Sequence, residues 1–137
     1  MKQAIHTLRA QAPRRGLFEI TADVRRWVAG QQIDTGILTL FCRHTSASLL
    51  IQENAAPAAR ADIEAFFARL APESGSYTHD DEGPDDMPAH LRTALTQVQL
   101  TIPVSASQPM LGTWQGIYLF EHRAVPTARE IVLHLIG

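Results

Sequence analysis

Apolar residues recur along the chain with two different periods. Val24, Trp27 and Val28 follow helical spacing, with Thr21 placed to cap the helix and Gly30 to end it. Ile63, Phe66, Phe67 and Leu70 form a second helical stripe. Asn54 is the expected N-cap there, and Pro57 suits the first turn. A third, short helix is expected from Asp86 through Leu95. Strand-like runs cover 5–8, 17–20, 36–42, 98–104, 115–121 and 130–136. A turn at Pro13 to Gly16 separates the first two runs, and Pro72 to Pro84 reads as an acidic, glycine-bearing loop. The last two runs flank a turn at Arg123 to Thr127, which suggests an antiparallel hairpin. Strands and helices mix without regular βαβ alternation. The expected fold is therefore α+β, a single domain over 1–137, with a mixed or largely antiparallel sheet sandwich and two or three helices.

Composition narrows the class. At 137 residues and 45% hydrophobic, the chain is long enough and apolar enough for one core. A formal charge of −2 gives no footprint for bulk nucleic-acid binding. Lys2 is the only lysine, so arginine carries nearly all positive charge and suits two-pronged contact with phosphate or carboxylate. Cys42 stands alone, which rules out an intrachain disulfide or a paired-cysteine metal knuckle. No run reaches the length of a membrane span, and the first residues lack a signal-peptide pattern. A cytoplasmic protein is the expectation, with neither membrane nor nucleic acid as partner.

Chemistry-bearing residues gather in a few polar segments. Arg43-His44-Thr45-Ser46-Ala47-Ser48 follows a strand. If the extended conformation continued, His44, Ser46 and Ser48 would point the same way, able to meet a metal, a phosphate or another small polar ligand. Neighbours on one strand face lie about 7 Å apart, too far for a direct Ser–His nucleophile pair. Glu53-Asn54 stands at the start of the long helix, where capping is the plain explanation. The densest segment runs from His79 to His90, with two histidines and five carboxylates in twelve residues. Asp80 to Glu82 reads as solvated loop. His90 follows Asp86 by four residues, so the two can touch on one helix face, as metal histidines touch their orienting carboxylates. In the last segment, Gly112 to Arg123, strand parity sends Gln115 and Glu121 to one face and His122 to the other. His122, after two aromatics, fits a buried core histidine as well as a ligand; His6 and His134 read as structural.

Taken together and in order, these segments resemble the YjbQ-like family, also labelled the secondary thiamine-phosphate synthase family. The matching pieces are His44-Thr45-Ser46-Ala47-Ser48-Leu49, Glu53-Asn54 with Pro57, His79-Asp80 through Asp86-Met87-Pro88-Ala89-His90, Gly112-Thr113-Trp114-Gln115-Gly116-Ile117, and Glu121-His122-Arg123. The resemblance implies an α+β homotrimer with a histidine and carboxylate pocket holding a divalent metal, Zn or Mg. It implies metal roles for His44, His90 and His122 and catalytic roles for Glu53, Asp86 and Glu121. It implies contacts to a small phosphorylated substrate from Arg43, Ser46, Ser48, Asn54, Gln115 and Arg123. The implied reaction joins a pyrimidine diphosphate to a thiazole phosphate, as a main or a side activity. A metal-dependent hydrolase and a non-catalytic, ligand-binding or structural-metal trimer are the alternatives. One position departs from the family pattern: Ala56 stands where an Asp usually precedes the proline.

Overall fold

A computed structural model describes residues 1–137. Eight strands and three helices follow one another as β1 (Gln3–Ala10), β2 (Gly16–Glu19), α1 (Thr21–Ala29), β3 (Gly36–Cys42), β4 (Ala47–Glu53), α2 (Pro57–Leu70), α3 (Asp86–Leu95), β5 (Gln99–Ser105), β6 (Gln108–Pro109), β7 (Gln115–Glu121) and β8 (Arg129–Ile136). They form two sheets, one of five strands ordered β1-β8-β3-β5-β6 and one of three ordered β2-β7-β4. Every strand pair is antiparallel. This is a single α+β domain with three helices.

Period-two patterning aims the first sheet inward. Leu100, Ile102 and Val104 of β5 are buried while their neighbours are exposed. Ile131, Leu133 and Leu135 of β8 join Leu38 and Leu40 of β3 in the same core. That core also takes Leu49, Ile117 and Leu119 from the second sheet and Val24 and Val28 from α1. It therefore lies where the two sheets and α1 meet.

Strand β7 is central in its sheet and covered on both faces. Tyr118 and Phe120 turn away from the main core and pack with Leu17, Ile63 and Phe67. Helix α2 rests on this smaller cluster: the Phe67 ring meets Phe120 edge-on at 5.4 Å. Only part of its predicted stripe is used, because Phe66 and Leu70 remain exposed.

The expected hairpin between the last two strands does not form. β7 pairs with β2 and β4, whereas β8 pairs with β1 and β3. The segment between them crosses from one sheet to the other. Both runs are apolar and extended, and that pattern specifies a strand without specifying its partner. Strand β4 is a second difference. The chain leaves β3 at Cys42, turns through 43–46 and pairs again from Ala47. The two caps also differ. Ile20, not Thr21, precedes α1, and the Thr21 hydroxyl instead accepts the Ile117 N–H at 2.8 Å. Ala56 occupies the cap position of α2 with no side-chain bond, while Asn54 donates to the carbonyls of Thr113 and Gln115.

Candidate functional site

Helix α3 begins with the carboxylate pair Asp85-Asp86. Asp86 is buried, and it divides its two oxygens between different partners. Oδ1 accepts from Arg123 Nη1 at 2.8 Å. Oδ2 lies 2.9 Å from His79 Nε2 and 3.3 Å from His90 Nε2. The contact to His90 follows from the i,i+4 spacing read in the sequence. His79 arrives from the acidic loop, where Glu82 holds it at 2.9 Å. Hydrogen bonding to Glu82 is the main reason its ring holds a proton more strongly than usual.

This trio has the chemistry and spacing of a metal site. Tetrahedral ligands at metal–donor lengths near 2.1 Å stand about 3.4 Å from one another. The ligand atoms of His79, Asp86 and His90 all lie within 4.8 Å of each other. Two imidazoles and one carboxylate suit zinc and leave a position open. Arg123 fixes the carboxylate from behind. Its Nε donates to Asp85, its Nη1 to Asp86 and its Nη2 to the Glu82 carbonyl. Burial alone would raise the Asp85 carboxyl, but bonds from the Ala124 N–H and Arg123 hold it below the usual range.

His90 is also the link to an open cavity of about 970 Å³. Arg43, His44, Ser46, Thr93 and Thr96 also line it. The predicted row of His44, Ser46 and Ser48 is not formed, because 43–46 is a sheet-to-sheet connection rather than a strand. The three residues find separate partners. His44 Nε2 accepts the Glu130 N–H at 2.8 Å. Ser46 Oγ accepts from Arg129 Nη1 at 3.1 Å. Ser48 is fully buried and meets His122 Nε2 at 2.9 Å and Thr96 Oγ1 at 2.6 Å.

Arg129, like His79, is a candidate-site residue to which the sequence assigned no role. Its side chain is 5% exposed and pairs with the fully buried Glu121. Nε donates to Oε1 at 2.8 Å and Nη2 to Oε2 at 2.5 Å. Glu121 also accepts the Arg123 N–H. One polar network therefore runs from Ser46 through Arg129, Glu121 and Arg123 to Asp86 and the two histidines. The available signal was an acid and an arginine flanking one turn, eight residues apart.

His44 and His122 do not enter the ligand set with His90. His122 is the buried core histidine of the alternative reading. Its Nε2 faces Ser48, and its Nδ1 has no protein partner. Burial, then the charges of Arg92 and Arg129, push its pKa down to about 3. The unfolded chain takes up this proton near pH 6.5 and the folded chain only near 3. The neutral ring's contribution is thus intact above about pH 6.5 and is lost as pH falls toward 3. Stability against pH, read from urea midpoints, should fall by up to a few kcal/mol less steeply over that window in His122→Gln than in the parent. Identical slopes would contradict this.

Glu53, Asn54 and Gln115 lie elsewhere. Glu53 pairs with Gln115 at one end of the second sheet, and Ala47 with Glu121 at the other. Six residues of strand separate the ends by about 20 Å. Within this chain, then, neither Glu53 nor Gln115 reaches a ligand bound beside His90. Glu121, neutralised by Arg129, is not a free base. Cys42 is buried, and burial pushes its thiol up to about 11, so it is not a reactive nucleophile. No helix is long and apolar enough to cross a membrane.

The family model described as UPF0047 protein YjbQ-like matches residues 6–137. A UPF0047 protein of Synechocystis is 47% identical over 124 residues, covering 90% of this chain and 84% of that protein. The UPF0047 protein YjbQ of Escherichia coli O157:H7 is 41% identical over 132 residues, with 96% of each chain covered. Among solved structures, a YbjQ-like protein of unknown function from Sulfolobus solfataricus superposes with a TM-score of 0.91 at 25% identity, over 99% of this chain and 98% of that one. A conserved hypothetical protein from Thermus thermophilus gives 0.83 at 31% identity, over 96% and 99% of the two chains.

Proposed function

The chain belongs to the UPF0047 YjbQ-like family, and from that premise we propose that it is a metal-dependent enzyme acting on a small phosphorylated molecule. The observation that carries this reading is the buried Asp86 carboxylate shared by His79 and His90, the second of which lines an open cavity. Those three residues would hold the divalent ion, and two imidazoles favour zinc over magnesium. When bound, such an ion stabilises negative charge developing on phosphoryl or diphosphate oxygens. Arg123 is committed to Asp85, Asp86 and the Glu82 carbonyl, so its role is to orient the acidic loop. Arg43 remains 57% exposed beside the cavity, paired only with Glu130 at 3.5 Å, and is available to an anionic ligand. Ser46 presents a hydroxyl to the same space.

Thiamine-phosphate formation from a pyrimidine diphosphate and a thiazole phosphate is the named candidate reaction, with release of diphosphate. A purely structural metal is disfavoured by the open geometry. Such sites are normally closed by four protein ligands, whereas His79 is 45% exposed here. The homotrimer belongs to the same proposal. It is supported by the outer face of the five-stranded sheet, which presents Ile5, Ile37 and Phe41 to solvent.

The test is diphosphate release by metal-loaded protein given the two substrates. His90→Ala should lose metal uptake and turnover while keeping its circular dichroism spectrum. Full turnover in that variant would sink the reading.

A further inference from the structure

The hydrogen-bond partners of His44 determine where its proton sits. A backbone N–H only donates, so Nε2, 2.8 Å from the Glu130 nitrogen, must accept. The neutral ring then carries its hydrogen on Nδ1. The opposite tautomer would set two hydrogens against each other across that short contact. Burial, then Arg129, keeps the ring less basic than usual, so the neutral form prevails near pH 7.

Nδ1–H now faces Arg129 Nη1 at 3.4 Å, and a guanidinium nitrogen is also only a donor. Two donors confront each other with no acceptor between them. Glu121 occupies the Nε and Nη2 edge of Arg129, so Nη1 is the corner left over. Ser46 Oγ already accepts from that Nη1, which leaves its own hydrogen to donate. His44 and Ser46 both line the open cavity, with Arg129 directly behind them.

We propose that His44, Ser46 and Arg129 form an oxyanion subsite for a phosphate or diphosphate group. An anionic oxygen accepts from His44 Nδ1–H and from the Ser46 hydroxyl, and the guanidinium behind them supplies positive charge. His44 acts here as a hydrogen-bond donor, not as a metal ligand. Arg129 is a positioning residue that sets the direction of both donors. The inference rests on the phosphorylated-ligand reading above and assigns the anion to the connection between β3 and β4, apart from the metal trio.

The test titrates inorganic diphosphate into the metal-free, full-length protein. Binding is read by calorimetry and by nitrogen-15 correlation of the histidine side chains. The free protein should show the Nδ1–H form of His44, and that hydrogen should move downfield on binding. His44→Gln keeps an acceptor for the Glu130 N–H and protects the fold; it should weaken binding about tenfold or more. Ser46→Ala should weaken it about fivefold. The losses in His44→Gln and Ser46→Ala should appear in the metal-free and in the zinc-loaded protein alike, which separates this subsite from the metal reading. An Nε2–H tautomer in His44, no diphosphate binding at millimolar concentration, or parental affinity in both His44→Gln and Ser46→Ala would each overturn the proposal. Loss of zinc binding alone, with these results intact, would count against the trio and not against this subsite.

Discussion

Replacing Asp86 by alanine is expected to lower zinc affinity at least about 100-fold, with helix content preserved. The size of the effect follows from the double duty of one carboxylate. Oδ2 is the point at which His79 and His90 meet, so its loss removes one ligand and frees the other two. Oδ1 is held by Arg123, so the same change unpins the arginine that orders the loop carrying His79. The fold itself should survive. The α3 start also has Asp85 bonded to Arg123 and the Ala124 N–H, and Arg123 is 29% exposed and can be hydrated. Competition against a chromophoric chelator measures the affinity. An Asp86→Ala variant with parental affinity would remove Asp86 from the site.

The second large effect concerns stability. Glu121 and Arg129 are 0% and 5% exposed, and each is the other's principal partner. Removing one side strands a buried charge, at a cost of about 3–5 kcal/mol. Against a total stability of about 5–15 kcal/mol, Arg129→Met should lower Tm by roughly 10–20 °C. Glu121→Leu should do the same, since it leaves the guanidinium with only the Ser46 hydroxyl and carbonyl as acceptors. The double variant Glu121→Leu/Arg129→Met should recover much of the loss, because well-packed apolar groups often replace a buried ion pair at little cost. Thermal melts of the three variants decide it. Single variants within 1 kcal/mol of the parent would show that the pair is not buried as described.

Much of the chain was legible locally. Val24 and Val28 of α1 pack where their spacing placed them, and the alternation of β5 gives its inner face directly. Asp86 and His90 meet because i,i+4 spacing on a helix is a geometric fact that needs no tertiary knowledge. Strand partners were not legible. The runs 115–121 and 130–136 carry the same apolar signal whichever sheet receives them, and the crossing between sheets depends on contacts far along the chain. The same limit explains the site. His79 sits in a loop without periodicity, so nothing local aimed it at Asp86. Ser48 of β4 and His122, just past the end of β7, are both buried, and their mutual bond draws both away from the cavity. Arg129, one strand residue among several arginines, gained its role only when the fold set Glu121, Ser46 and His44 around it. Strand parity did separate Glu121 from His122: His122 packs beside the Phe120 ring at 4.3 Å, while Glu121 turns to Arg129.

His79, Asp86 and His90 are proposed to hold one divalent cation beside the cavity that His90 lines. Crystals of tag-free protein equilibrated with zinc, with data collected on both sides of the zinc absorption edge, test it most directly. One strong anomalous peak is expected about 2.0–2.2 Å from an Asp86 oxygen and from a nitrogen of each of the two histidines. A peak held by His44 or His122 instead, or no peak within reach of Asp86 in zinc-saturated crystals, would contradict it.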